Sequence, residues 1–133
     1  MTIASSTVLV DGTVAITAGT STTFKTKVAD GQNHSVYLDD GSALIDLTTA
    51  KFTVSDHQAS TSAPGGYTQA RRKCRIYIPR TLVNGDRTVE TIYIEQATAP
   101  ETSEADKLSM RVLACGILTD SDFQEFWDDG SAA

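Results

Sequence analysis

Residues 70–79 read Ala-Arg-Arg-Lys-Cys-Arg-Ile-Tyr-Ile-Pro, and residues 88–95 read Thr-Val-Glu-Thr-Ile-Tyr-Ile-Glu. Side chains of an extended strand alternate between two faces with a period of two. From Lys73 the first run therefore puts Lys73, Arg75 and Tyr77 on one face and Cys74, Ile76 and Ile78 on the other. In the second run Thr91, Tyr93 and Glu95 share a face opposite Ile92 and Ile94. The stretch Lys51 to His57 repeats the pattern, with Phe52 and Val54 inward and Lys51, Thr53, Ser55 and His57 outward. Three such strands make a sheet with one apolar face and one face of cations, hydroxyls and tyrosines. That polar face suits a flexible anion with stackable rings, which is the chemistry of RNA.

Working outward, the segment before these strands also reads as β-structure. Thr7 to Thr17 holds two β-rich runs around Asp11-Gly12, a hairpin signal. Phe24 to Ala29 and His34 to Leu38 flank Asp30-Gly31-Gln32-Asn33, and Asp39 to Ser42 reads as a turn. Ala43 to Leu47 reads as a short strand or as the lead-in to the strand at Lys51. Gln58 to Gln69, centred on Pro64-Gly65-Gly66, reads as a surface loop. Pro79 is expected to stop its strand because it cannot donate to a ladder. Asn84-Gly85 predicts a tight hairpin turn into the last strand.

Composition changes at Ala99-Pro100. Ser103 with Asp106 resembles a capping box, and acids at Glu101 and Glu104 suit a helix start. The pattern predicts a helix over Glu104 to Leu118. Thr119 with Asp122 predicts the cap of a second helix running to Trp127, with Gly130 as its stop. On the first helix Ala105, Leu108, Val112 and Cys115 form one stripe, and Met110, Leu113 and Ile117 form a second stripe nearly opposite. A helix laid on one sheet needs a single stripe. Two stripes call for cover on two sides, from a second copy of the chain or from the short helix bearing Phe123, Phe126 and Trp127.

The chain has 133 residues, the size of one domain, with a net charge of −6. That charge is unevenly placed. Up to Thr98 there are nine Lys/Arg and nine Asp/Glu; from Ala99 there are two and eight. Between Lys51 and Thr98 seven basic residues face four acidic ones. The acidic total therefore does not argue against a nucleic-acid partner, because the surplus belongs to the helical end. The two cysteines, Cys74 and Cys115, lack metal-ligand spacing and read as reduced thiols in the core. Met1 to Ser6 has no basic residue ahead of an apolar run, so a cytoplasmic product is expected.

Order and segments together resemble the coat proteins of single-stranded RNA bacteriophages, the levivirus group. The resemblance is carried by Arg-Lys-Cys-Arg-Ile-Tyr-Ile-Pro at 72–79, by Ser-Glu-Ala-Asp-Lys-Leu-Ser-Met-Arg-Val-Leu at 103–113, and by Thr-Val-Leu-Val-Asp at 7–11. It implies an α+β fold in one domain over 1–133. An N-terminal hairpin and an antiparallel meander would fill 1–98, and two helices 101–130 would pack on the sheet of a partner subunit. It further implies an intertwined homodimer with sheets joined edge to edge, an icosahedral shell assembled in the bacterial cytoplasm, and genomic RNA hairpins held on the inner sheet face. Binding the hairpin at the replicase start would repress translation. Carried onto this sequence, the RNA face is Lys51, Thr53, Ser55, Arg71, Lys73, Arg75, Tyr77, Thr91, Tyr93 and Glu95. The dimer interface is Leu108, Met110, Val112, Leu113, Ile117, Phe123, Phe126 and Trp127. No cofactor, metal or membrane is implied. The short Asn84-Gly85 loop departs from the family, in which that loop meets its copies at the symmetry axes of the shell.

Other chemistry finds little footing. His34 and His57 are the only histidines, and neither sits in a catalytic motif. The acidic pairs Asp39-Asp40 and Asp128-Asp129 lack metal-loop spacing. Exposed Thr, Tyr and Lys are also ordinary on a solvated sheet. A monomeric β-module that binds carbohydrate or protein is the alternative from another class, and it expects no bound nucleic acid.

Overall fold

The computed structural model describes residues 5–55, 69–99 and 101–130. The expected loop over Gln58 to Gln69, apart from Gln69, and the outward position of His57 lie outside the described residues. The chain divides into two compact units, one of residues 19–100 and one combining 1–18 with 101–133.

The first unit is a five-stranded antiparallel meander. Its strands are β1 (Thr23–Asp30), β2 (Asn33–Asp39), β3 (Thr49–Ser55), β4 (Ala70–Thr81) and β5 (Arg87–Thr98), adjacent in chain order. The register follows the period of two read from the sequence. Lys51 pairs with Arg75 and Thr53 with Lys73, while Arg75 pairs with Tyr93 and Lys73 with Glu95. On the other face Ala50 pairs with Ile76, Phe52 with Cys74 and Cys74 with Ile94. Among the described residues only Val36 (9%) and Ala50 (3%) are buried, while Phe52 (42%), Ile92 (48%) and Ile94 (44%) stay half in water. The apolar face is therefore laid out but not closed. Burial pushes the Cys74 thiol above its ordinary value.

Five details differ from the expectations. β4 runs through Pro79 to Thr81 rather than stopping at Ile78. Its ladder with β3 ends at Thr49↔Tyr77, so beyond that point β4 has a ladder partner on the β5 side only. A proline is tolerated where one side of the strand needs no donor. Ala43 to Leu47 forms a 3-10 turn at Leu44–Asp46, not a strand. The turn at Asn84-Gly85 is wider than a two-residue hairpin. Gly85 N–H donates to the Leu82 carbonyl at 2.9 Å, Leu82 N–H to the Asp86 carbonyl at 2.8 Å, and Gly85 takes φ 88°. Asn84 Oδ1 accepts the Asp86 N–H at 3.1 Å, so the loop satisfies its own backbone.

The fourth difference is in the other unit. Asp11 does take the left-handed turn conformation, φ 53°. The residues flanking it nevertheless form no ladder, so the expected N-terminal hairpin is absent among the described residues. Their partners are on the helical segment instead. Thr7 N–H donates to Asp122 Oδ2 at 3.0 Å, and the Ser109 hydroxyl donates to Asp11 Oδ1 at 3.3 Å. An Asp-Gly signal favours a turn locally, but two flanking runs pair only when no other surface takes them.

That surface is α1 (Glu104–Thr119). Ser103 caps it as expected, its hydroxyl accepting the Asp106 N–H at 3.1 Å. The second cap is Asp120 rather than Thr119. Asp120 accepts the Asp122 N–H at 2.9 Å and opens a 3-10 turn, Ser121–Phe123, ahead of α2 (Gln124–Asp129). The Thr119 hydroxyl donates back to the Cys115 carbonyl at 2.6 Å, so it is unavailable as a cap. Gly130 ends α2 in the left-handed conformation, φ 74°. The Trp127 indole donates to the Ile117 carbonyl at 2.8 Å, and the Phe126 and Trp127 rings meet edge to face at 4.9 Å.

Val8 lies so close over Gly116 that a Cβ there would sit 2.5 Å from Val8 Cγ2. Gly116→Ala sets a helix-propensity gain of about 1 kcal/mol against an overpacking cost of about 1–3 kcal/mol. The expected outcome is a net loss near 1 kcal/mol by thermal unfolding, with Val8→Ala in the same chain recovering most of it.

Candidate nucleic-acid interface

The register brings the expected RNA-face residues together on one side of the sheet. Reading across β3, β4 and β5, the rows are Ser55, Arg71 and Ala97; Thr53, Lys73 and Glu95; Lys51, Arg75 and Tyr93; Thr49, Tyr77 and Thr91. All ten expected residues share this face. Asn33, Lys51, Thr53, Lys73 and Arg75 line a shallow cavity of about 270 Å³ at its centre. Three cations, one hydroxyl and one amide line it, groups whose chemistry can neutralise a phosphate and hydrogen-bond a base.

Sequence reading missed Asn33, Ser35, Tyr37, Lys25 and Lys27. Asn33 was read as turn, yet it opens β2 opposite Thr53, and Ser35 stands opposite Lys51. Lys27 sits at an irregularity of β1 between Thr26 and Val28. A bulge breaks the alternation on which face assignment from sequence depends. Lys27 and Val28 consequently line one cavity together with Ser35, Lys51 and Tyr77. The alternation Asn33, Ser35, Tyr37, Asp39 was legible and could have found the β2 residues.

Glu95 holds the β5 end of the face together. It is ion-paired with Arg71 and accepts the Tyr93 hydroxyl at 2.6 Å. The Arg75 guanidinium lies over the Tyr93 ring, 5.0 Å from its centre. The carboxylate thus orients one cation and one ring of this face. Hydrogen bonds from Tyr93 and then Arg71 hold the Glu95 carboxyl below its ordinary value. The same bond to Glu95 raises the Tyr93 hydroxyl above the ordinary phenol value. These groups are water-facing, so the network sets geometry rather than stability.

Among the described residues further ion pairs lie along the sheet, Arg80 Nε with Glu90 Oε2 at 2.9 Å among them. Lys25 Nζ stands 2.7 Å from Asp39 Oδ2 on the polar side, and Arg87 binds the 3-10 turn through the Ile45 carbonyl at 3.0 Å and Asp46. Among the described residues no group of His, Cys, Asp and Glu could hold a metal. Among the described residues no helix is long and apolar enough to cross a membrane. Of the expected interface residues, Leu108, Met110, Leu113, Phe126 and Trp127 are exposed, and Val112, Ile117 and Phe123 are half-buried.

Glu95→Gln weakens the hydrogen bond that raises the Tyr93 phenol and removes the charge behind it. In a pH titration followed by NMR, Tyr93 is expected to ionise at lower pH in the variant than in the parent. An unshifted Tyr93 would show that the hydroxyl does not rest on this carboxylate.

No protein-family model matches the chain, and no curated protein matches it. Solved structures do. A chain from the virus-like particle of bacteriophage GQ-907 superposes with a TM-score of 0.82 at 22% identity, covering 99% of this chain and 100% of that one. One from the virus-like particle of bacteriophage AVE019 gives 0.69 at 9% identity over 90% and 95%. One from the virus-like particle of Beihai levi-like virus 21 gives 0.61 at 15% identity over 89% and 93%. The five-stranded antiparallel meander followed by two C-terminal helices is the levivirus coat-protein fold.

Proposed function

We propose that this chain is the coat protein of an RNA bacteriophage, a structural and non-catalytic subunit that self-assembles into an icosahedral shell. The observation that carries this reading is the open apolar face. Phe52, Ile92 and Ile94 are ordered in a regular ladder yet stay half in water, in a fold otherwise found in phage particles. Completing the burial of each side chain contributes roughly 1 kcal/mol, and a copy of the same chain is the economical source of cover.

The dimer joins β5 to β5 of a second copy: among the described residues β1 and β5 are the two ends of the strand order, and β5 is the one whose chain runs on into the helices. The helices of each copy lie on the partner, which gives the two apolar stripes of α1 their two covers. Leu108, Met110, Val112, Leu113, Ile117, Phe123, Phe126 and Trp127 form that interface. The polar face lines the interior of the virion and binds genomic RNA hairpins. Lys51, Arg71, Lys73 and Arg75 neutralise phosphates. Tyr77 and Tyr93 stack on unpaired bases, and Thr53, Ser55 and Thr91 read base edges. Retention of the replicase-start hairpin makes the dimer a translational repressor. Assembly takes place in the cytoplasm of the bacterial host.

Expressed alone, the chain is expected to yield shells under the electron microscope, with the ultraviolet spectrum of enclosed RNA. A monodisperse, nucleic-acid-free monomer would overturn the proposal in favour of a binding module. Ile92→Asp and Leu113→Asp, checked for secondary structure by circular dichroism, are each expected to abolish dimers and shells. A folded dimer from either would refute the placement of that face.

Replacing Lys73 and Arg75 together by Ala is expected to weaken binding to all RNA sequences alike. It should also flatten the slope of log affinity against log salt by about 1.4, two contacts at 0.7 each. An unchanged slope would remove both residues from phosphate binding.

A further inference from the structure

The central cavity does not stand alone on the polar face. A second cavity, of about 160 Å³, is lined by Lys27, Val28, Ser35, Thr49, Lys51 and Tyr77 and shares Lys51 with the first. A third, of about 480 Å³, is lined by Lys27, Tyr37, Asp39, Ser42, Leu44, Leu47 and Thr49 and shares Lys27 and Thr49 with the second. On β3 the lining residues step from Thr53 to Lys51 to Thr49, and on β2 from Asn33 to Ser35 to Tyr37. Each step is two residues, about 6.7 Å along a strand, a spacing that suits one nucleotide of an extended chain per cavity. A lysine stands at each junction.

The third cavity differs in chemistry from the other two. Tyr37, Leu44 and Leu47 give it an apolar, stackable wall, and Asp39 gives it a carboxylate. Lys25 holds that carboxylate, Nζ to Oδ2 at 2.7 Å. The neighbouring Asp40 turns back on its own loop, its Oδ1 accepting the Ser42 N–H at 2.9 Å. A carboxylate repels phosphate, so in a phosphate-binding groove it favours a group that presents donors. Among nucleobases, guanine offers two adjacent donors, N1–H and the N2 amino group, matched to two carboxylate oxygens; adenine offers no such pair.

We propose that the three cavities form one track for single-stranded RNA and that its end, at Tyr37 and Asp39, is a guanine-selective pocket. This rests on the RNA-binding reading of the sheet and adds the base it selects at a place outside the expected site residues.

The test uses particles disassembled, freed of RNA and reassembled around a short uridine-rich oligoribonucleotide carrying one guanine, with adenine and inosine counterparts. The parent is expected to prefer guanine over adenine by about tenfold, with inosine, which lacks the N2 amino group, between them. Asp39→Asn should bring the guanine-to-adenine ratio close to one while overall affinity holds or rises, because a negative charge leaves the groove. Leu44→Trp, which fills the pocket, should also erase the preference. Each variant is first checked for normal particles. Binding with no guanine preference in the parent, or a preference that survives Asp39→Asn, would overturn the pocket and leave RNA binding intact. Loss of all RNA binding in the parent would instead bring down the underlying reading. Free guanosine monophosphate binding as tightly as the oligonucleotide would overturn the track, since a track requires the linked strand.

Discussion

The antiparallel register of β3, β4 and β5 is the constraint on which the rest depends. It sets Lys51 beside Arg75 and Arg75 beside Tyr93, and in the same stroke sets Ala50 beside Ile76 and Phe52 beside Cys74. A slip of one residue would exchange the faces, turning cations toward the apolar side and isoleucines toward water. Such a slip sacrifices hydrophobic burial and charge separation together, so one pairing dominates. Chemistry on the polar face is thereby tied to packing on the other.

This coupling explains how much was legible in the sequence. The period of two in residues 51–55, 73–78 and 91–95 named both faces without reference to any partner, because alternation is local. The capping serine at 103 and the stop at Gly130 were equally local. What failed depended on neighbours. Pro79 ends a strand flanked on both sides, but here the β3 ladder has already stopped. Asp11-Gly12 turns the chain, yet its flanking runs find α1 before they find each other. Thr119 looks like a cap until its hydroxyl is committed to Cys115.

The candidate site shows the same division. Nine of the ten expected residues were placed on the polar face by alternation, and Arg71 came with the family resemblance. Lys27 was not placed there, because a β1 irregularity decides where its side chain goes. Asn33, Ser35 and Tyr37 needed the β2–β3 pairing before they could be assigned to the same groove. Alternation put Glu95 on the polar face but gave it no partner. In three dimensions its neighbours Arg71 and Tyr93 give it an orienting part.

The bare outer edge of β5 and the unclosed apolar side beneath it link the survival of a subunit to its abundance. Anything that binds only the folded form stabilises it by mass action. If that ligand is an identical molecule, newly made protein is at its most fragile while scarce, exposed to proteases and to mispairing with other sticky edges. Fragility then fades as copies accumulate and close one another. Quality control and the timing of encapsulation would both follow from how many molecules have been synthesised, with no separate signal.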